Sequence, residues 1–119
     1  MKYILLIYGD PAAEAQLSEA QRQAIYAAHE AYGQALEAAG VLRGGAELKP
    51  PATATTLRFA GGRSTLVDGP YAETKEQLGG YYLIDTANLD EALKWAAKCP
   101  GARAGSIEVR PVMNMEIPK

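Results

Sequence analysis

The sequence contains one cysteine, Cys99, and one histidine, His29. A lone thiol excludes an intrachain disulfide and a cysteine-based zinc site, and a lone imidazole removes most histidine-ligand metal sites. Positive charge is not in surplus either. Twelve Lys and Arg face 14 Asp and Glu, for a net charge of −2 and a pI of about 5.4. Nothing is left over to neutralise phosphates, which argues against nucleic acid as a partner. No run approaches the roughly 18 apolar residues of a membrane helix. The apolar start, Met1 to Tyr8, is short for a signal core and is stopped at once by Gly9-Asp10-Pro11. Gly44-Gly45 and Gly79-Gly80 fit neither a P-loop nor a dinucleotide fingerprint. No Gly-x-Ser-x-Gly elbow or His-Glu-x-x-His pattern occurs. No cofactor and no metal are therefore expected, and the cysteine count suits a reducing, cytoplasmic setting.

What remains is an ordinary globular composition. Of 119 residues, 48% are hydrophobic and 22% charged, which excludes a disordered tail, a collagen-like chain and a coiled coil. At this length folding removes about two-thirds of the chain's surface from water, enough for one core. One domain spanning 1–119 is expected, with no internal linker.

Residues 2–8 are apolar on both alternating faces, with Tyr3, Leu5 and Ile7 on one and Ile4, Leu6 and Tyr8 on the other. Such a strand belongs in the middle of a covered sheet. Ser18-Glu19-Ala20-Gln21 reads as a capping box, and Gly40 as the stop after a helix that ends near Ala39. On that helix Ile25, Ala28, Tyr32 and Leu36 share one face, and His29 lies about 40° from Ile25 and about 20° from Leu36. Val41 to Leu48 is extended, with Gly44-Gly45 predicting a bulge or a close backbone approach. Thr53 to Phe59 and Arg63 to Val67 form a hairpin about Gly61-Gly62. Tyr71 to Gln77 reads as a short helical piece, followed by a two-faced strand over Tyr81 to Ile84. Asn88 caps a second helix, with Leu89, Ala92, Leu93 and Ala96 facing inward and Asp90 paired to Lys94. Cys99-Pro100-Gly101 ends it, and Ser106 to Val112 closes as a strand.

The order β-α-β, hairpin, β-α-β predicts an α+β fold. It is a ferredoxin-like split βαβ sheet with an inserted hairpin. Two helices cover one face of such a sheet, yet its central strands are apolar on both. The uncovered face is expected to meet a second copy, making a homodimer.

Four positions carry candidate chemistry. Asp68, before Gly69-Pro70, suits a tight turn through an Asx-type hydrogen bond. It also stands at a strand end, where a carboxylate can orient an imidazole or accept a proton. His29 is a core histidine held by one hydrogen bond, or a general acid or base that titrates near neutrality. Arg22, seven residues earlier on the same flank, is either solvated or an anion-binding group. Tyr71 follows the turn. Tyr3, Tyr8, Tyr81 and Tyr82 read as core and interface, and Cys99 as a packed thiol.

The stretch from Asp68 through Glu73-Thr74-Lys75-Glu76-Gln77-Leu78-Gly79-Gly80 to Tyr82 closely resembles the signature of the DGPF subgroup of the YCII-related family. Lys49 to Thr56 and Gly105 to Pro111 are similar to two further blocks of that subgroup, so the likeness spans nearly the whole chain. Tyr71 stands where phenylalanine is usual. The resemblance implies a dimeric α+β barrel. It also implies a catalytic pair made by a histidine on the first helix and an aspartate near the sheet, which match His29 and Asp68. The loop after Asp68 is longer here than the family's. One relative is similar to a lyase that removes halide from a chlorinated hydroquinone. Members of the subgroup are often encoded near extracytoplasmic-function sigma factors.

Two functions are therefore expected to compete, beside a third reading as a purely structural dimer with neither ligand nor partner. One is a cofactor-free lyase or isomerase that binds a small polar or aromatic molecule, with Arg22 and Tyr71 as substrate contacts. In it His29 moves a proton and Asp68 orients it. The other is a non-catalytic ligand-binding or regulatory protein linked to a sigma factor.

Overall fold

The structure, a computed structural model, describes residues 1–103 and 105–113. Strand β1 (Lys2–Gly9) leads into a single helical turn, α1 (Pro11–Glu14), and then the long helix α2 (Glu19–Ala38). Strand β2 (Leu42–Glu47) follows, then the hairpin β3 (Thr55–Ala60) and β4 (Arg63–Asp68). Strand β5 (Gln77–Asp85), helix α3 (Leu89–Lys98) and strand β6 (Ser106–Pro111) complete the chain. The main sheet has the order β2-β5-β1-β6, and each neighbouring pair is antiparallel. That is the ferredoxin-like arrangement, and β3-β4 forms a separate two-stranded sheet.

Local chemistry explains most boundaries. The Ser18 hydroxyl accepts from the Gln21 N–H, and the Gln21 side chain accepts from the Ser18 N–H, so the capping box is complete. Gly40 takes φ 74°, the left-handed conformation that ends α2. Gly61 and Gly62, at φ 57° and 76°, make the tight hairpin turn. Asn88 caps α3 through the Glu91 N–H. The turn α1 was not foreseen, although Asp10 before Pro11 carries its signal: the aspartate caps and proline occupies the first turn.

The core lies between one sheet face and helices α2 and α3. It contains Tyr3, Leu5, Ile84, Tyr32, Leu36, Ala92, Ala96 and Cys99. Both central strands, β1 and β5, are apolar on two faces as their sequences require. Ile4, Leu6, Tyr81 and Leu83 occupy the face away from the helices, half-buried and, among the described residues, with no helix above. The hairpin stands apart. Leu57 and Leu66 pair across it beside Phe59, and all three are exposed. This projection shows in a radius of gyration of 16.4 Å, against about 13.5 Å for a compact chain of this length.

Several local expectations are corrected. Residues 71–76 are not helical. Gln77 donates to the Ala72 and Thr74 carbonyls, and Ser106 donates to Glu76 at 2.7 Å, so side chains tie this backbone into an irregular loop. Strand β5 accordingly begins at Gln77, before the glycine pair, and β3 begins at Thr55 after a 3₁₀ turn over Pro51–Thr53. Leu89 and Leu93 are nearly half exposed, because α3 turns Ala92, Ala96 and the partly buried Trp95 toward the core. Lys94 pairs with Glu91 at 3.2 Å rather than with Asp90. On α2, Ile25 and Ala28 are exposed. The helix seats only its second half, through Tyr32 and Leu36.

Candidate functional site

The unseated half of α2 roofs a cleft of about 1600 Å³. Its floor explains it. Helix-facing positions on β2 and β5 are Gly45, paired with Tyr82, and Gly80, paired with Glu47. Neither glycine offers a side chain to fill the space beneath the helix. Neither can easily be replaced: a Cβ on Gly45 would sit 2.9 Å from the Tyr81 carbonyl, and one on Gly80 would sit 2.9 Å from the Ala46 carbonyl. Both glycine pairs also adjoin register shifts, at Leu42/Gly44 and opposite Ile7/Tyr8. The expected bulge and close approach therefore occur together, and they shape the cleft.

Four groups face one another inside. His29 on α2 and Tyr82 on β5 meet at 2.9 Å between Nδ1 and the phenol oxygen, with their rings nearly parallel. Tyr26 on α2 donates to the Glu47 carboxylate on β2 at 3.3 Å. Burial pushes the imidazole below its ordinary pKa, and the Glu47 charge pulls partly the other way. Burial pushes the Tyr82 phenol up, reinforced by Cys99 and Glu47. Both groups are thus neutral near pH 7. Behind them Tyr32 lies edge-on to Tyr82 at 5.2 Å, and its hydroxyl donates to the Trp95 carbonyl at 2.6 Å.

The predicted site residues divide. His29 and Arg22 line the cleft, and one Arg22 nitrogen donates to the Glu14 carbonyl at 3.0 Å. Asp68 and Tyr71 do not line it. Asp68 ends β4 opposite Thr55, at an exposed position, and no hydrogen bond joins it to His29. Tyr71 lies beneath the Arg58 guanidinium at 5.1 Å, and Arg58 also donates to its carbonyl. That contact ties the Asp68–Tyr71 turn to the hairpin. Tyr82 was read as core, and Glu47 and Tyr26 were not singled out. Periodicity held a signal for Tyr82, since it shares a face with buried Ile84. Glu47 had none, because only the bulge at Arg43 sets which way it points. Among the described residues, no three His, Cys, Asp or Glu side chains gather as a metal site would need. No helix there is long and apolar enough to cross a membrane, which leaves β-barrels unaddressed.

The family model for the YCII-related domain matches residues 1–116. The chain belongs to the YCII-related family. An uncharacterised protein of Rhizobium meliloti (strain 1021) is 41% identical over 114 residues, covering 94% of this chain and 92% of that one. Among solved structures, the chain is similar to the 5-chloro-2-hydroxyhydroquinone dehydrochlorinase of Burkholderia phenoliruptrix AC1100, in complex with 2,5-dihydroxybenzoquinone. The TM-score is 0.56 at 18% identity, covering 97% of this chain and 96% of that one. At that identity the likeness concerns the fold. For this YCII-related chain it confirms a split βαβ sheet with both helices on one face.

Proposed function

We propose that the protein is a cofactor-free enzyme of the lyase or isomerase type that acts on a small oxygenated aromatic molecule in the α2 cleft. One observation carries this reading. The only histidine sits half-buried in an apolar-walled cleft with Nδ1 already engaged, which leaves Nε2 for a ligand. Positioned proton transfer of this kind is worth roughly 10²–10⁴-fold in rate. The dehydrochlorinase's quinone-type ligand suggests the chemical class to screen first.

The working form is a homodimer. Among the described residues of one chain, Ile4, Leu6, Tyr81 and Leu83 on the open sheet face are only half-covered, and Leu57, Phe59 and Leu66 on the hairpin are exposed. A lone two-stranded hairpin is at best marginally stable in water. A second copy covers both, and its hairpin brings Asp68 to the cleft of its neighbour as the acidic partner of the reaction. We place the chain in the DGPF subgroup, on the Asp68–Tyr82 block, and in the cytoplasm.

Thermal-shift screening with hydroxylated quinones and hydroquinones, followed by product analysis, tests the enzyme reading. Turnover that disappears in His29→Ala supports it, and mixing inactive His29→Ala and Asp68→Asn dimers should restore activity if the two residues act across the interface. One observation favours a second reading: the cleft of a single chain lacks Asp68. A ligand-sensing protein tied to an extracytoplasmic-function sigma factor would give stabilisation without product, and a stoichiometric sigma-factor complex on pull-down.

A further inference from the structure

The hydrogen bond between His29 and Tyr82 has a direction, and the acidity of the two groups decides it. Neutral imidazole carries one proton, so Nδ1 either donates or accepts. Of the two groups the phenol O–H is the better donor and the ring nitrogen the better acceptor. Among the described residues the Tyr82 hydroxyl makes one hydrogen bond, the one to Nδ1 at 2.9 Å. If Nδ1 donated, the weakly basic phenol oxygen would be the acceptor and the phenol proton would turn to the open cleft. If the phenol donates, one bond satisfies both groups.

The geometry around the pair is rigid. The Tyr82 ring is braced edge-on by Tyr32, which the Trp95 carbonyl holds in turn. Opposite Tyr82 stands Gly45, where even a Cβ would come within 3.2 Å of the ring. The imidazole lies nearly parallel to the phenol ring, at 17° and 6.1 Å between centroids. The charged group facing the pair is Glu47 on β2, itself held by Tyr26 from α2. Tyr32 and Cys99 lie behind and are neutral, since burial raises the pKa of each.

We infer that Tyr82 is a positioning residue: its hydroxyl donates to Nδ1 and holds His29 as the tautomer whose proton is on Nε2. His29 then meets its ligand as a hydrogen-bond donor rather than as a base. A neutral imidazole can polarise a carbonyl or quinone oxygen in this way. The ligand class follows: a molecule with an oxygen acceptor in reach of Nε2. Tyr82 keeps its own proton, because forming the phenolate in this half-buried position is unfavourable. Any proton abstraction must use another group: Glu47 is a carboxylate this chain itself puts on the cleft wall, and the proposed dimer would add Asp68. This consequence rests on the cleft being a ligand site, but the tautomer is a property of the resting protein.

The test is nitrogen-15 NMR of the single histidine above its titration range, in wild type and in Tyr82→Phe. Phenylalanine keeps the ring and its packing and removes only the hydroxyl. The expected wild-type spectrum shows the proton on Nε2 and a hydrogen-bonded, unprotonated Nδ1. In Tyr82→Phe the Nδ1 resonance should move to that of an unbonded ring nitrogen, and a minor form protonated on Nδ1 should appear, with the thermal midpoint little changed. A wild-type spectrum with the proton on Nδ1 overturns the assignment without any variant. So does an Nδ1 resonance that Tyr82→Phe leaves unmoved. If the spectra agree but no quinone-type ligand binds, the tautomer stands and the proposed function fails.

Discussion

Tyr32 offers the sharpest test of how this fold is held. Its hydroxyl donates to the Trp95 carbonyl at 2.6 Å. Trp95 lies in the last turn of α3, where carbonyls lack an N–H four residues on. The Cys99 N–H that would serve it turns to Ala96 instead, at 3.1 Å. Tyr32 therefore closes the C-terminal end of a helix that is not its own. Tyr32→Phe preserves the ring, which is buried against Tyr82 and Trp95. It removes one hydrogen bond and leaves a partly buried acceptor empty, a loss of about 1–3 kcal/mol. At about 2.1 cal/mol/K of unfolding entropy per residue, 119 residues carry roughly 250 cal/mol/K. The midpoint of thermal unfolding should then fall by roughly 4–12 °C. Circular dichroism melts of the two proteins at one concentration measure it. A fall under about 2 °C would refute the idea that this hydroxyl serves α3. Tyr82→Phe is the matched control. Its hydroxyl lies on a half-buried imidazole, so its loss should cost clearly less than that of Tyr32.

Three further outcomes are expected. Leu36→Ala empties a fully buried position between α2 and the sheet and should cost about 2–5 kcal/mol in urea denaturation. Ser18→Ala removes the cap of α2 and should cost about 1 kcal/mol, with Ser18→Gly costing less. Burial lowers the imidazole's pKa in the folded state, so the unfolded chain binds the proton more readily. Stability should fall as pH drops below about 6.5, the ordinary value, and this contribution should level off below the depressed folded value. His29→Gln should flatten that segment of the stability-against-pH curve. An unchanged slope would mean that the burial of His29 is not felt.

The elements were legible because their signals are short-range. Alternation placed both central strands, and the Ser18-Gln21 box, Gly40, Asn88 and the Gly61-Gly62 turn each act within a few residues. Where reading failed, a competing interaction came from farther away. Residues 71–76 lost their helix to side-chain bonds from Gln77 and from Ser106 across the sheet. Leu89 and Leu93 look inward by period, but α3 is rotated so that Ala92, Ala96 and Trp95 face the core. Ile25 and Ala28 share a face with Tyr32, yet nothing on the sheet rises to meet them.

His29 was visible as a candidate by its rarity and its side of the helix, and Gly44-Gly45 and Gly79-Gly80 as places of close approach. That these features form one site is a tertiary fact. Two glycine positions on adjacent strands face the same half-helix only because the bulge at Arg43 sets the register of β2 on β5. The partner of the imidazole stands 53 residues away, on a strand whose tyrosine could as well have been core. Periodicity states which face a side chain takes. Pairing register and the depth of helix seating decide what it finds there.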